Sequence, residues 1–174
     1  MALILGSKRI ESKRGSDQML LKIYTAFHVV ISLLGILAGF VVMAGMITAS
    51  PLDRWTAFFL ITTIATSVTG FFFPVKRLMP AHVVGVISLV ILALAVYARY
   101  PAHLAGSWRW IYVATAVGAQ YLNVFVLVVQ MFQKIPVLNR LAPTQKEPPF
   151  QIAQGAVLVV FVAWGILTGV RFHV

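Results

Sequence analysis

Five long apolar runs, at about residues 21–49, 55–75, 80–98, 109–133 and 150–172, constrain this chain more than any other feature of its sequence. No Asp or Glu falls inside any of them, and the only basic residues within these bounds, Lys22, Arg109 and Arg171, stand at their ends. A bilayer core about 30 Å thick needs roughly 20 helical residues at about 1.5 Å each. Each run meets that length. The rest of the composition agrees: 60% of the 174 residues are hydrophobic, 10% are charged, and the mean hydropathy is +0.93. A soluble domain is typically about 45–50% apolar and about 25% charged, so a water-soluble fold would lack the polar residues to cover its surface. A transmembrane barrel would show strands of about ten residues that alternate apolar and polar, whereas these runs are continuous. The expectation is an all-α polytopic membrane protein with a bundle of five transmembrane helices.

Orientation follows from the short flanking segments. One side carries ten basic residues, namely Lys8, Arg9, Lys13, Arg14, Lys22, Lys76, Arg77, Lys134, Arg140 and Lys146; the other carries four, Arg54, Arg99, Arg109 and Arg171. The N-terminus is therefore expected in the cytoplasm and the C-terminus outside. The first run is longer than the 7–15 residues of a signal-peptide core and reads as a retained anchor. The net charge of +10 needs no nucleic acid as partner, because basic residues beside membrane helices meet anionic lipid headgroups. Trp55, Trp108, Trp110, Tyr97, Tyr100 and Tyr112 fall at the outer ends of the runs, as an interfacial aromatic belt would. Zero cysteines exclude disulfides, thiol nucleophiles and Cys-ligated metals.

Residues 1–20 form a polar N-terminal segment expected to be cytoplasmic and mobile, and residues 21–174 a single transmembrane domain. The one extended connection, the Pro-rich cytoplasmic loop 134–149, contains Pro136, Pro143, Pro148 and Pro149 and so cannot be one continuous helix. It is either a tether or a cap over the bundle end, with Ile135, Leu138 and Leu141 as the residues a cap would bury.

The runs "YLNVFVLVVQMFQKIPVLNRLAPTQKEPPF" at 121–150 and "LMPAHVVGVISLV" at 78–90 resemble a group of small multi-spanning bacterial inner-membrane proteins with no assigned activity. The resemblance covers most of the chain after residue 25. It implies a cell inner-membrane location and carries no catalytic residue over.

Chemistry must then come from polar residues inside the spans, where they are costly and tend to mark function. His28 lies six residues beyond Lys22 and His82 five beyond Arg77, roughly 9 Å and 7–8 Å along the helix axes. With Gln130, Gln151 and Gln154 they form an expected polar layer in the cytoplasmic leaflet. His28, Ser32, Gly35 and Gly39 share a face with a Gly-x-x-x-Gly pair, the kind of stripe that meets another helix. Small and polar stripes also run along Thr62, Thr66 and Thr69, along Tyr112, Ala116, Ala119, Asn123 and Gln130, and along Gln151, Gly155, Gly165 and Gly169.

Several functions compete. His28 and His82 are candidate axial ligands of a b-type haem between the first and third spans, since imidazole suits iron. The same residues are candidate hydrogen-bonding partners of a quinone in a slot lined by Tyr24, Phe71, Phe72 and Phe73. A small transporter or channel is a further alternative, though no charged residue lies deep in a span to couple transport. A hydrolase lacks both a nucleophile elbow and an HExxH site. The leading expectation is a non-catalytic subunit or scaffold, within a larger membrane complex or a homo-oligomer, because glycine stripes on several helices offer contact faces beyond those a monomer needs.

Overall fold

The computed structural model describes residues 2–50, 52–74 and 80–172, with side chains described from Gly15 onward and, in the third helix, from His82. Lys76, Arg77 and the side chains of Lys8, Arg9, Lys13 and Arg14, on which much of the orientation argument rests, lie outside the described residues.

The described chain is helical, with no strand among its residues. In order the helices are α1 (Ala2–Ile47), α2 (Asp53–Gly70), α3 (Pro80–Arg99), α4 (Ser107–Lys134), α5 (Pro136–Leu141) and α6 (Pro148–Arg171). Their boundaries have local causes. α3, α5 and α6 each open on proline, whose missing N–H would be unpaired in a first turn anyway. Ile135, held extended at ψ 116° ahead of Pro136, ends α4, as the residue before a proline usually does. Gly106 precedes α4 at φ 54°, ψ −120°, a backbone conformation that glycine adopts readily and L side chains do not. α1 begins at Ala2, so the polar N-terminal segment is continuous with the first apolar run as one helix.

Among the described residues four helical segments, Gly15–Ile47, His82–Arg99, Ser107–Lys134 and Pro148–Arg171, are long and apolar enough to cross a membrane. α2 is less apolar: Asp53, Arg54, Ser67 and five threonines fall within its 18 residues. It pairs with α1 antiparallel along its whole length, since Leu52 meets Gly45, Thr62 meets Gly35, and Thr69 meets His28.

Packing proceeds from neighbour to neighbour, α1 on α2, α2 on α3, α3 on α4 and α4 on α6, and α1 also touches α4 and α6. The buried core joins Ala38, Val42 and Met43 of α1, Phe59 and Leu60 of α2, Leu92 and Ala95 of α3, Tyr112, Val113 and Ala116 of α4, and Phe161 of α6. It fills the middle of the bundle and the half that contains the α1–α2 and α3–α4 connections. The His28 end is more open. Outside the core, α6 presents Ile152, Val159, Ile166 and Val170 to the surroundings, which suits a helix whose solvent is hydrocarbon.

Candidate functional site

Two polar groupings inside the bundle hold the residues from which a site could be built. The first lies at the open end. Thr69, in the last turn of α2, donates its hydroxyl to the Ala65 carbonyl at 2.7 Å. Its oxygen is therefore left to accept, and His28 Nδ1 lies 2.8 Å away. With the hydroxyl so directed, Nδ1 is the donor in this contact and Nε2 carries the lone pair. The Thr69 carbonyl, among the last of α2 and without a full helical partner, accepts from Tyr24 Oη at 2.6 Å. Phe73 stacks edge-on against the His28 ring and tilted against Tyr24, both at 5.0 Å. Beside this cluster an open groove of about 530 Å³ runs between α1 and the turn after α2, lined by Asp17, Gln18, Leu20, Leu21, Tyr24, Phe72 and Pro74.

The second grouping sits at mid-bundle and joins α1, α2 and α4. Gln120 is fully buried and donates Nε2 to the Ile36 carbonyl at 2.7 Å. Its Oε1 has no conventional partner. A Cβ on Gly39 would come within 2.0 Å of that oxygen, so the glycine Cα–H that stands in its place points at Oε1. A Cα–H···O contact of this kind recurs at close helix interfaces and gives the buried acceptor a weak donor. One turn earlier, Gly35 lies against the Thr62 and Thr63 hydroxyls, which a Cβ would meet at 3.1 and 3.4 Å. Asn123 Nδ2 donates to Thr63 Oγ1 at 3.2 Å and closes the set. The expected His28, Ser32, Gly35 and Gly39 face of α1 thus meets helices, α2 first and α4 beyond it.

Sequence reasoning missed Gln120. It placed Ala119 and Asn123 on the inner stripe of α4 but passed over the one carboxamide whose position, one turn beyond Ala116, puts it in the middle of the span.

The residues of the expected layer have different neighbours. His82 stacks on Phe71 at 5.7 Å, whereas His28 stacks on Phe73, and α2 packs against both α1 and α3. Gln130 and Gln151 are exposed, and Gln151 donates to the nearby Lys146 carbonyl at 2.8 Å. Gln154 ties α6 to α4 by donating to the Phe125 carbonyl at 3.1 Å. Residue spacing carries no information on the angular position that decides which groups meet. Among the described residues no group of three His, Asp or Glu side chains could hold a metal.

At the opposite end Arg99, closing α3, pairs with Asp53, opening α2, and its guanidinium lies 5.3 Å from the Tyr112 ring centre. Arg109 donates to the Phe172 carbonyl and lies over the Trp110 ring at 4.6 Å. Trp55, Tyr97, Tyr100 and Trp110 are exposed there as an aromatic belt requires, while Tyr112 is buried in the core.

The glycine stripes are largely engaged within the chain. Gly35 and Gly39 meet α2 and α4, Gly85 meets Phe71, Gly165 meets Val117, and Gly169 meets Trp110. Gly155, in α6, and Gly15, at the start of the first candidate span, have open space around them. The loop 134–149 contains α5, which packs on α4, and leaves Ile135 and Leu141 exposed, so these residues are not buried beneath a cap.

No family model, curated protein or solved structure matches this chain.

Proposed function

We propose that the chain is a five-span protein of the cell inner membrane, N-terminus in the cytoplasm and C-terminus outside, that serves as a non-catalytic subunit or scaffold of a membrane assembly. The fifth span is α2. Its antiparallel pairing with α1 from Leu52 to Thr69 carries it through the same depth, and its threonines donate to their own helix, Thr62 to the Phe58 carbonyl and Thr69 to the Ala65 carbonyl. Back-bonded hydroxyls lower the cost of a polar helix in hydrocarbon.

The observation that carries the scaffold reading is the Gln120 clamp. The most deeply buried carboxamide is held between Ile36 and Gly39 and fixes α4 to α1. Asn123, Gln154, Tyr24 and His28 likewise bond neighbouring helices, which is what polar residues in membrane bundles do as packing glue. With most glycines engaged internally, the surfaces open to a partner are the exposed apolar faces of α1, α3 and α6, the last including the open surroundings of Gly155. The test is gentle extraction of the tagged full chain after crosslinking in the membrane. A defined complex, with a partner or with further copies, supports the reading; a monomer that carries a chromophore or bound quinone overturns it.

One observation favours a second reading. The His28 Nε2 lone pair, walled by Phe73 and close to the groove, suits a hydroxyl donor such as a quinol, or a single axial bond to haem iron. Co-purified quinone lost in His28→Ala would favour this alternative.

A further inference from the structure

We infer that α5 is an in-plane interfacial helix that anchors loop 134–147 to the lipid headgroup layer. Three observations place it there. First, the loop folds back beside α4: Asn139 Nδ2 donates to the Phe132 carbonyl at 3.2 Å, and Gln145 Nε2 to the Val129 carbonyl at 3.3 Å. Val129 precedes Lys134 by five residues, so the Gln145 side chain reaches back past the end of α4 and holds the loop that carries α5 against it.

Second, α5 is two-faced. Leu138 and Asn139 turn inward, while Val137 and Leu141, one helical turn apart, are 68% and 53% exposed. Two large aliphatic side chains facing water on a six-residue helix would be a poor surface; facing acyl chains they are a foothold. Third, Lys134, Arg140 and Lys146 are all exposed and in turn precede, lie within and follow α5 in the chain, and Glu147 is the single acid among residues 134–147, a balance that complements anionic headgroups. Arg140 borders the apolar pair on the exposed side and can extend its guanidinium to the phosphates.

The inference rests on α4 being a membrane span, and the experiment keeps the two apart. The native chain has no cysteine, so nitroxides are placed singly at Val137→Cys, Leu141→Cys, Lys146→Cys and Val159→Cys in the full chain, in vesicles of phosphatidylethanolamine and phosphatidylglycerol. Collision rates with oxygen and with a water-soluble nickel chelate are then measured. Labels at 137 and 141 are expected to favour oxygen several-fold relative to the label at 146, with 159, on the exposed face of α6, deepest of all. Labels at 137 and 141 that behave like 146, or that are shielded from both reagents, would overturn the inference while a deep 159 preserves the spans. A label at 159 that favours nickel would bring down the spanning reading and the inference with it.

Discussion

At the scale of single residues, the contact between Gly39 and Gln120 is the most demanding in the bundle. A Cβ on Gly39 would lie 2.0 Å from the clamped Oε1, so Gly39→Ala forces the carboxamide off the Ile36 carbonyl and is expected to destabilise by about 1–3 kcal/mol, the usual cost of overpacking. Unfolding by denaturing detergent in mixed micelles measures it. Gln120→Ala removes the colliding group, and the double variant should recover most of the Gly39→Ala loss; strict additivity would show that the two side chains do not share this interface. His28 offers a spectroscopic check. With Thr69 donating to Ala65, the ring is expected to be protonated at Nδ1, and nitrogen-15 spectra of labelled histidine should show that tautomer in the wild type and lose its preference in Thr69→Val. An Nε2-protonated ring in the wild type would contradict the assignment. Neither pair could be read from sequence. Residue spacing put Gly35 and Gly39 on the face they share with His28, but the partner of each depends on the rotation of α2 and α4 about their axes, which no single helix records.

At the scale of elements, the helix limits were largely legible because proline and length set them. The expected 80–98, 109–133 and 150–172 compare with Pro80–Arg99, Ser107–Lys134 and Pro148–Arg171. The interior of loop 134–149 was not legible, since its order comes from side chains reaching back to α4 and from hydrogen bonds gathered on one carboxylate. Glu147 accepts from the Thr144 hydroxyl at 2.7 Å and from the amides of Thr144 and Lys146 at 3.2 and 3.0 Å. The Thr144 hydroxyl chiefly, and the amides with it, holds the Glu147 carboxyl below the usual range. A depressed carboxyl stabilises its turn above its unfolded pKa, and that contribution disappears as pH falls through the folded value. Hydrogen exchange at the Thr144 and Lys146 amides is therefore expected to speed up, after correction for intrinsic rates, as pH falls below the ordinary glutamate range. Glu147→Gln should show the faster exchange at neutral pH. At the other end, Asp53 is exposed while Arg99 is largely buried. An ion pair with one exposed partner contributes about 0–1 kcal/mol, so Asp53→Asn should change stability little; a large loss would show that the pair organises the α2–α3 end.

For the whole molecule, composition reveals the solvent in which the chain folds, and polar side chains decide how the helices sit against one another. The apolar runs identified a helical membrane protein without any tertiary information, because in hydrocarbon each backbone must satisfy its own hydrogen bonds. α2 was harder to read from sequence, since its threonines and its Asp53–Arg54 start dilute its hydropathy; its pairing with α1 is what supports counting it as a span. The proposed five-span arrangement joins these scales: on that reading the Gln120 clamp lies near mid-membrane, the His28 cluster toward the cytoplasm and α5 on the cytoplasmic surface. Its most direct test uses the cysteine-free background. Single cysteines at Ser50, Ala105, Lys146 and Phe172 are exposed to a membrane-impermeant thiol reagent on intact cells and again after permeabilisation. The account predicts that 50, 105 and 172 react from outside and that 146 reacts only once the cells are opened; a residue 172 that shares the protection of 146 would contradict it.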